Sequence, residues 1–119
     1  MIKKYPLPLV SVILITYNQQ KYVKSTMQSV LEQNYPNLEL IVSDDASTDK
    51  TVEIIKSLSF QYKNRMVANY NQKNEGITKN CNRALSLCSG NYIAFCGGDD
   101  IFLQNKISTQ VEILEHHEN

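Results

Sequence analysis

The stretch "LVSVILIT", residues 9–16, decides the fold class of this chain. It is an almost continuous apolar run, which is typical of a strand buried on both faces. Three further runs predict strands at residues 38–43, 65–70 and 91–96. Helical patterns follow the four strands, at residues 22–33, within "DDASTDKTVEIIKSL" (44–58), and at 77–88 and 106–117. This alternation predicts an α/β fold with a mainly parallel sheet flanked by helices.

The composition is that of one soluble globular domain, residues 1–119. Hydrophobic residues make up 42% of the chain and charged residues 20%. The length suffices for one domain with a core, but not for two. The 12 basic residues balance the 12 acidic ones and form no basic stripe, which argues against a nucleic-acid partner.

The sequence shows neither a transmembrane segment nor a signal peptide. Its longest apolar run, "LVSVILI" at residues 9–15, is far too short to span a bilayer. The segment "MIKKYPLPLV" has two lysines but no apolar signal-peptide core and no cleavage site. We therefore expect a cytoplasmic protein.

The cysteines favour buried, reduced thiols over a metal site. Cys81, Cys88 and Cys96 form no CxxC pair, and no histidine lies near them in the sequence. Cys81 and Cys88 are seven residues apart and share one helix face, where we expect them to point inward with Ala84 and Leu85. A zinc site is the less favoured alternative.

The five aspartates fall into two short clusters, and each cluster begins where a predicted strand ends. The seven glutamates, in contrast, are scattered over helices and loops. In parallel sheets, ligands bind outside the carboxyl ends of the strands. Short carboxylates gathered there suit Mg²⁺ or Mn²⁺, which bind phosphate beside one or two carboxylates. The two clusters are Asp44, Asp45 and Asp49, and Asp99 and Asp100.

Each cluster also has a purely structural interpretation. "DDASTD" is able to cap a helix through Ser47 or Asp49, although this leaves Asp44 unexplained because it still belongs to the strand end. "GGDD" is able to form a glycine-rich turn in which Asp100 caps a short helical turn. That reading leaves Asp99 beside Asp100 without a compensating positive charge.

Polar residues follow the first and third predicted strands as well. After the first strand, Tyr17 is able to stack on a ring while Thr16 and Asn18 bond to it; alternatively, Asn18 caps the next helix and Tyr17 packs on that helix. The loop "YNQKNEG" leads into a helix start that suits anions. Lys73 and Lys79 are able to reach a phosphate there, and solvated loop lysines are an equal alternative.

Taken together, these motifs resemble the amino-terminal half of a family 2 glycosyltransferase with the GT-A fold. "VSVILITYNQQKYV" is similar to the opening strand of that family, "LELIVSDDASTDKT" to its nucleotide-binding segment, and "NEGITKNCNRALSLCSGNYIAFCGGDD" to its run into the metal site. The resemblance implies a Rossmann-like α/β/α sandwich. It also implies metal-dependent, inverting transfer of a sugar from a nucleotide-diphosphate sugar, such as a UDP-sugar, to an acceptor hydroxyl in glycan or cell-surface polysaccharide synthesis.

The resemblance assigns roles to seven residues of this chain. Thr16 and Tyr17 would line the base pocket, and Asp45 would hydrogen-bond the base with Asp44 beside it. Asp99 would lie near the ribose and donor sugar. Asp100, with help from Asp99, would ligate the Mn²⁺ or Mg²⁺ that bridges the diphosphate. Lys79 falls where relatives often carry a basic or polar residue facing the donor.

Two departures from the family pattern stand out. Many members have an acidic residue two positions before the aspartate pair, where this chain has Gly97, so we expect weaker metal affinity. The family supplies the general base and the site for a saccharide or lipid-linked acceptor from sequence after the metal motif. We therefore expect the base beyond Asn119, and we interpret residues 1–119 as a donor-binding part that is inactive alone. Peripheral membrane association of the full-length enzyme is compatible with this interpretation.

Other classes of protein fit the sequence less well. A signalling receiver domain needs a lone aspartate after its third strand, where this chain has Tyr70 and Asn71. A nucleotidyltransferase normally has a Gly- and Arg-rich loop after its first strand, and "TYNQQ" is not such a loop. A non-catalytic nucleotide-binding module remains the alternative to the enzyme.

Overall fold

The computed structural model describes residues 7–97 and 100–116. Strands and helices alternate along the chain in the predicted order. The strands are β1 (Val10–Thr16), β2 (Leu38–Asp44), β3 (Met66–Tyr70) and β4 (Tyr92–Gly97). The helices are α1 (Val23–Leu31), α2 (Thr51–Gln61), α3 (Ile77–Ser86) and α4 (Lys106–His116). The predicted fold class is confirmed.

The four strands form one parallel sheet in the order β3-β2-β1-β4. β1 is central, as expected for the most continuously apolar run, and its register pairs Thr16 with Asp44 and Ile15 with Gly97. The chain builds outward from β1 to β3 on one side and places β4 on the other. The sheet order therefore reverses at the carboxyl end of β1, which is where ligands bind in open α/β sheets.

The two faces of the sheet are covered unequally. On one face, α1, α2 and α4 bury a large core that includes Met27, Ile55 and Ile107, all at most 1% exposed. On the other face, α3 packs over β1 and β2 and buries a small cluster around Ile13 and Ile41. This second layer is thin among the described residues.

The predicted inward-facing residues of α3 were partly wrong, because the layer that α3 forms is thin. Ala84 is buried in α3 as expected, but Leu85 is 37% exposed, and Cys81 and Cys88 are only half-buried. The buried position of α3 that sequence reasoning missed belongs to a polar residue, Asn80. Cys88 still packs against the cluster around Ile13 and Ile41, as predicted, so the clear departure is the exposed Leu85.

Within the described residues, no helix is both long enough and apolar enough to cross a membrane.

Candidate functional site

A cavity of about 270 Å³ opens at the carboxyl ends of the central strands. β1 and its following loop contribute Thr16 and Tyr17, and Asp45 comes from the residue after β2. Asn80 of α3 and Gly97 at the end of β4 also line the cavity. The cavity therefore lies at the point where the sheet order reverses, and it brings three of the predicted site residues together.

Asp45 is the carboxylate in the wall of this cavity. It is only 5% exposed and accepts three hydrogen bonds. Its Oδ1 accepts from Asn71 Nδ2 at 2.9 Å and from the Glu75 amide at 2.8 Å, and its Oδ2 accepts from the Gly76 amide at 2.9 Å. Burial alone would raise the pKa of Asp45, but these three donors, with a smaller contribution from the Arg83 charge, hold its pKa below the usual value. Asp45 is therefore an ionised acceptor that also anchors the loop before α3.

Asp44 lies behind the cavity wall and makes structural contacts. It is fully buried and accepts from Thr16 Oγ1 at 2.6 Å, from the Ser47 amide at 2.8 Å and from Ser47 Oγ at 2.6 Å. These bonds fasten the end of β1 to the loop after β2. The Thr16 hydroxyl, which we expected in the base pocket, is thereby used within the protein.

A set of side-chain hydrogen bonds joins the loop after β1 to the loop after β2. Asn18 has a left-handed conformation with φ 51°. Its side-chain Oδ1 accepts from the Thr48 backbone amide at 2.8 Å, and its backbone N–H donates to Ser47 Oγ at 2.8 Å. Asn18 therefore binds the neighbouring loop and caps no helix. The adjacent Tyr17 is held on a fixed backbone with its side chain 48% exposed in the cavity wall.

Asp49 binds the start of α2, as the capping interpretation expected, although the N-cap residue itself is Lys50. Its Oδ1 accepts from the Thr51 amide at 2.8 Å, at the first residue of α2, and its Oδ2 accepts from the Gln20 amide at 3.2 Å. Burial would raise the pKa of Asp49, but the hydrogen bonds from Thr51 and Gln20 lower it. The first aspartate cluster therefore divides by function: Asp44 and Asp49 hold loops, and Asp45 reaches the cavity.

The end of β4 presents a carboxylate of a different kind. Asp100 is exposed; its Oδ2 accepts from the Gly97 amide at 2.9 Å, and its own amide donates to the Gly97 carbonyl at 3.0 Å. It borders a more open groove beside the cavity, together with Phe95 and Lys106. Asp99 lies outside the described residues.

The donor chemistry at Asp100 fits a hard cation that keeps most of its water. One exposed carboxylate beside a phosphate is the kind of set that Mg²⁺ and Mn²⁺ accept. Among residues 7–97 and 100–116, no three His, Cys, Asp or Glu side chains gather as a metal-binding group. A complete protein cage for the metal is therefore not present in the described part of the chain.

The two lysines lie away from the cavity wall. Lys79 is exposed on α3, and the residues that line the cavity do not include it. Lys73 borders a separate polar depression with Glu75 and Arg83, which form an ion pair at 2.7 Å. Neither lysine contacts Asp45 in this conformation.

Sequence reasoning missed a group of buried amides beneath the cavity. Asn80 is 2% exposed and Asn71 is 9% exposed, and both are joined to Ser43 and Asn69 through hydrogen bonds. The available signal was polar residues at positions that strand and helix periodicity assign to the interior, namely Ser43 in β2 and Asn80 in α3. Buried polar side chains of this kind are kept only when their hydrogen bonds are satisfied.

The sequence matches the family model of glycosyl transferase family 2 over residues 11–119. It is 39% identical over 110 residues to a glycosyltransferase named EpsE from Bacillus subtilis (strain 168), covering 92% of this chain and 40% of that protein. It is 37% identical over 107 residues to the UDP-Glc:alpha-D-GlcNAc-diphosphoundecaprenol beta-1,3-glucosyltransferase WfaP from Escherichia coli, covering 90% of this chain and 41% of WfaP. The chain thus spans about two fifths of the length of these relatives.

Solved structures share the fold. TarS 1-349 from S. aureus in complex with UDP-GlcNAc superposes with a TM-score of 0.84 at 28% identity, covering 92% of this chain and 32% of that one. The mannosyltransferase PcManGT from Pyrobaculum calidifontis, in complex with GDP-Man and Mn²⁺, gives a TM-score of 0.85 at 24% identity, covering 92% of this chain and 33% of that one, and bears on the fold alone. With the family model matching nearly the whole length, the chain belongs to glycosyl transferase family 2.

Proposed function

We propose that this chain supplies the donor-binding part of a glycosyltransferase that moves a sugar from a nucleotide-diphosphate sugar to an acceptor hydroxyl. The observation that carries the proposal is the cavity at the end of β1, which Tyr17 and Asp45 both line. A stacking ring and a fixed acceptor are what a planar base with an N–H group requires. Family membership and the names of WfaP and TarS, which refer to UDP-Glc and UDP-GlcNAc, support a UDP-sugar as donor.

In this proposal Tyr17 stacks on the base and Asp45 accepts a hydrogen bond from it. From the described residues Asp45 accepts three hydrogen bonds, and a carboxylate has about four acceptor positions, so these residues leave one position for a ligand. Thr16 and Asp44 are proposed to lie beside the base. Because they bond to each other, they would affect the base by holding the end of β1 and the loop after β2 in place. Lys79 would contribute only if its side chain turned toward the donor.

The proposed metal is Mn²⁺ or Mg²⁺, held by Asp100 with Asp99. A divalent cation there supplies charge that offsets the negative charge on a departing diphosphate. Gly97 offers no carboxylate at the position where the family pattern often has an acidic residue, which supports a weaker metal site. The described role of Asp100 is to close the turn on Gly97 while keeping its side chain exposed.

For the whole protein, we propose inverting transfer to a saccharide or lipid-linked acceptor in glycan or cell-surface polysaccharide synthesis, in the cytoplasm or at the inner face of the membrane. The general base that deprotonates the acceptor hydroxyl is proposed to come from outside residues 1–119. The names of the relatives support this class of acceptor, since WfaP is named for a diphosphoundecaprenol-linked sugar.

The test is calorimetric titration of the chain with UDP, in MnCl₂ and in EDTA. We expect binding that is weaker in EDTA, loss of that metal dependence in Asp100→Asn, and loss of affinity in Tyr17→Ala. Tyr22→Ala is the matched control, because Tyr22 is similarly exposed, at 53%, but does not line the cavity. Equal loss in both tyrosine variants, or binding indifferent to EDTA, would contradict the proposal.

A non-catalytic nucleotide-binding module is the second candidate. The observation that favours it is the length of the match, since the chain spans about two fifths of its relatives. Both candidates predict that residues 1–119, incubated with a UDP-sugar and a range of acceptors, bind UDP but transfer no sugar. Measured transfer would show that the chain already holds a complete catalytic site.

A further inference from the structure

The buried amides beneath the cavity form a directional hydrogen-bond network that ends on Asp45. Asn69 Nδ2, in β3, donates to Ser43 Oγ at 3.0 Å and to Asn71 Oδ1 at 2.8 Å. Asn71 Nδ2 then donates to Asp45 Oδ1 at 2.9 Å and to Asn80 Oδ1 at 3.1 Å. Donors thus point from the sheet edge toward the carboxylate.

The network fixes which end of the Asn71 amide faces Asp45. Because Asn71 Oδ1 is used as the acceptor for Asn69, the NH₂ group of Asn71 is the end left for the carboxylate. The opposite orientation would place two oxygens, Asn71 Oδ1 and Asp45 Oδ1, against each other. Asn80 reinforces the orientation, because its Oδ1 also receives Ser43 Oγ at 2.6 Å while its Nδ2 donates to the Ser43 carbonyl at 2.9 Å.

Asn71 is also the one side-chain donor among the three groups that bind Asp45, since the other two are the backbone amides of Glu75 and Gly76. The backbone amides at positions 75 and 76 do not depend on which side chains stand there, whereas the third donor requires the asparagine at position 71. When a buried carboxylate loses one of its hydrogen-bond donors, its orientation is less well fixed and its charged form is less stable.

We propose that Asn71 is a positioning residue for the nucleotide site, which orients Asp45 toward the cavity and keeps it negatively charged. The inference rests on the proposed function of the cavity, and it adds a residue that acts through Asp45 and touches no ligand itself. Other charges near Asp45 are Arg83 on α3, Glu75 paired with Arg83 at 2.7 Å, and the neighbouring Asp44 in β2. These charges stay in place when Asn71 is changed to an uncharged residue.

The test compares the wild-type chain with Asn71→Leu, which has a similar shape but no donor. UDP affinity is measured by calorimetry between about pH 4.5 and pH 8, and the ratio of the two affinities at each pH cancels the titration of the phosphate. At pH 8 we expect the wild type to bind UDP no more than about threefold more tightly than Asn71→Leu. As the pH falls, this advantage should grow to about tenfold or more, because one displaced pKa unit corresponds to a factor of ten. Asn82→Leu, on the exposed side of α3, is the matched control and should follow the wild type.

A second readout needs no ligand. The carboxyl carbon of Asp45, followed by NMR, should titrate at a higher pH in Asn71→Leu than in the wild type. The same loss of affinity at every pH, with an unchanged Asp45 titration, would overturn the proposal and leave Asn71 a structural residue. If the wild type binds no UDP at all, the proposed function fails, and the NMR titration still decides what Asn71 does to Asp45.

Asn69→Val provides a variant that preserves Asn71 if Asn71→Leu does not fold. A β-branched residue suits the strand β3, and it removes the Nδ2 donor that orients the Asn71 amide and that also donates to Ser43 Oγ. We expect a smaller upward displacement of the Asp45 titration than in Asn71→Leu. No displacement in Asn69→Val would contradict the directional network.

Discussion

The carboxyl ends of β2 and β4 carry similar acidic motifs but are built in opposite ways. At the end of β2, Asp44 and Asp45 are at most 5% exposed, and each accepts three hydrogen bonds from neighbouring strands and loops. After β4, Asp100 is exposed and its carboxylate accepts one hydrogen bond from the described residues, from the Gly97 amide. The same type of side chain is thus part of the interior at one strand end and part of the surface at the other.

This difference indicates which of the two strand ends is preorganised. A base-binding acceptor works best when its orientation is already fixed before the ligand arrives, since ordering it during binding would cost affinity. A carboxylate for a hydrated cation gains its order from the ion and the phosphate that come with it. We therefore infer that the β2 end is formed in advance, and that the β4 end depends on its ligands.

The largest effect that separates the two ends is expected for aspartate removal. Asp44→Ala takes the acceptor from Thr16 and from both donors of Ser47, all buried or nearly so, and should lower the free energy of unfolding by about 2–4 kcal/mol. Asp100→Ala should change it by no more than about 0.5 kcal/mol, because the side chain is exposed. Urea denaturation of both variants measures this, and similar losses would show that the two ends are equally structured.

The fold was predictable from the sequence because its strands are marked by strong local signals. The run at residues 9–16 is buried as expected, and the helices begin and end within a few residues of the predicted bounds. Asp45 and Tyr17 were predictable because they immediately follow strands, and parallel topology brings strand ends together.

The division of labour among the aspartates was not predictable. Whether Asp44 or Asp45 reaches the cavity depends on which side of the backbone each carboxylate leaves, and so on the residue at which β2 ends, which is Asp44. Asn71 and Asn80 are nine residues apart in the chain, and they meet because the loop after β3 leads into α3, which packs over β1 and β2. Such a contact depends on the tertiary arrangement and leaves little local signal in the sequence.

The backbone at the β2 end gives the next largest effect. Gly76 has φ 95° and ψ 164°, a region nearly restricted to glycine, and in this conformation its amide reaches Asp45. Gly76→Ala should cost about 1–3 kcal/mol of stability from backbone strain alone, since no atom lies within 4 Å of the added Cβ. It should also weaken UDP binding.

Ala46 provides the opposite substitution as a control. It carries a side chain at φ 62°, where glycine is favoured, so Ala46→Gly should be neutral or gain up to about 1 kcal/mol. Thermal or urea denaturation measures both variants. A stable Gly76→Ala would mean that the loop before α3 adopts another conformation, and the preorganised site at the β2 end would lose its main support.

A smaller effect follows from the lowered pKa of Asp45. A carboxyl whose pKa is lower in the folded than in the unfolded chain stabilises the fold above its unfolded pKa of about 4, and this contribution disappears as the pH falls through the folded value. The difference in unfolding free energy between wild type and Asp45→Asn should therefore be largest at neutral pH and shrink toward acid.

The measurement is a series of urea denaturations between about pH 3 and pH 7, within the range where carboxyl groups titrate. Asn82→Ala, at an exposed position of α3 that carries no titratable group, is the control, and its difference from the wild type should not change with pH. A pH-independent difference for Asp45→Asn would mean that its hydrogen bonds do not favour the charged form.

A small effect is expected for Phe95 on the apolar side of β4, in contrast to its buried neighbour in β1. Ile13 and Phe95 are register partners in β1 and β4 and so lie on the same face of the sheet, yet Ile13 is 1% exposed and Phe95 is 60% exposed. Ile13→Ala should cost about 2–5 kcal/mol, whereas Phe95→Ala should cost less than about 1 kcal/mol in the chain of residues 1–119. A cost above about 2 kcal/mol for Phe95→Ala would show that something covers this face in solution. In that case a concentration-dependent stability would identify a second copy of the chain as the cover, and the β4 end would be more ordered than its exposed side chains indicate.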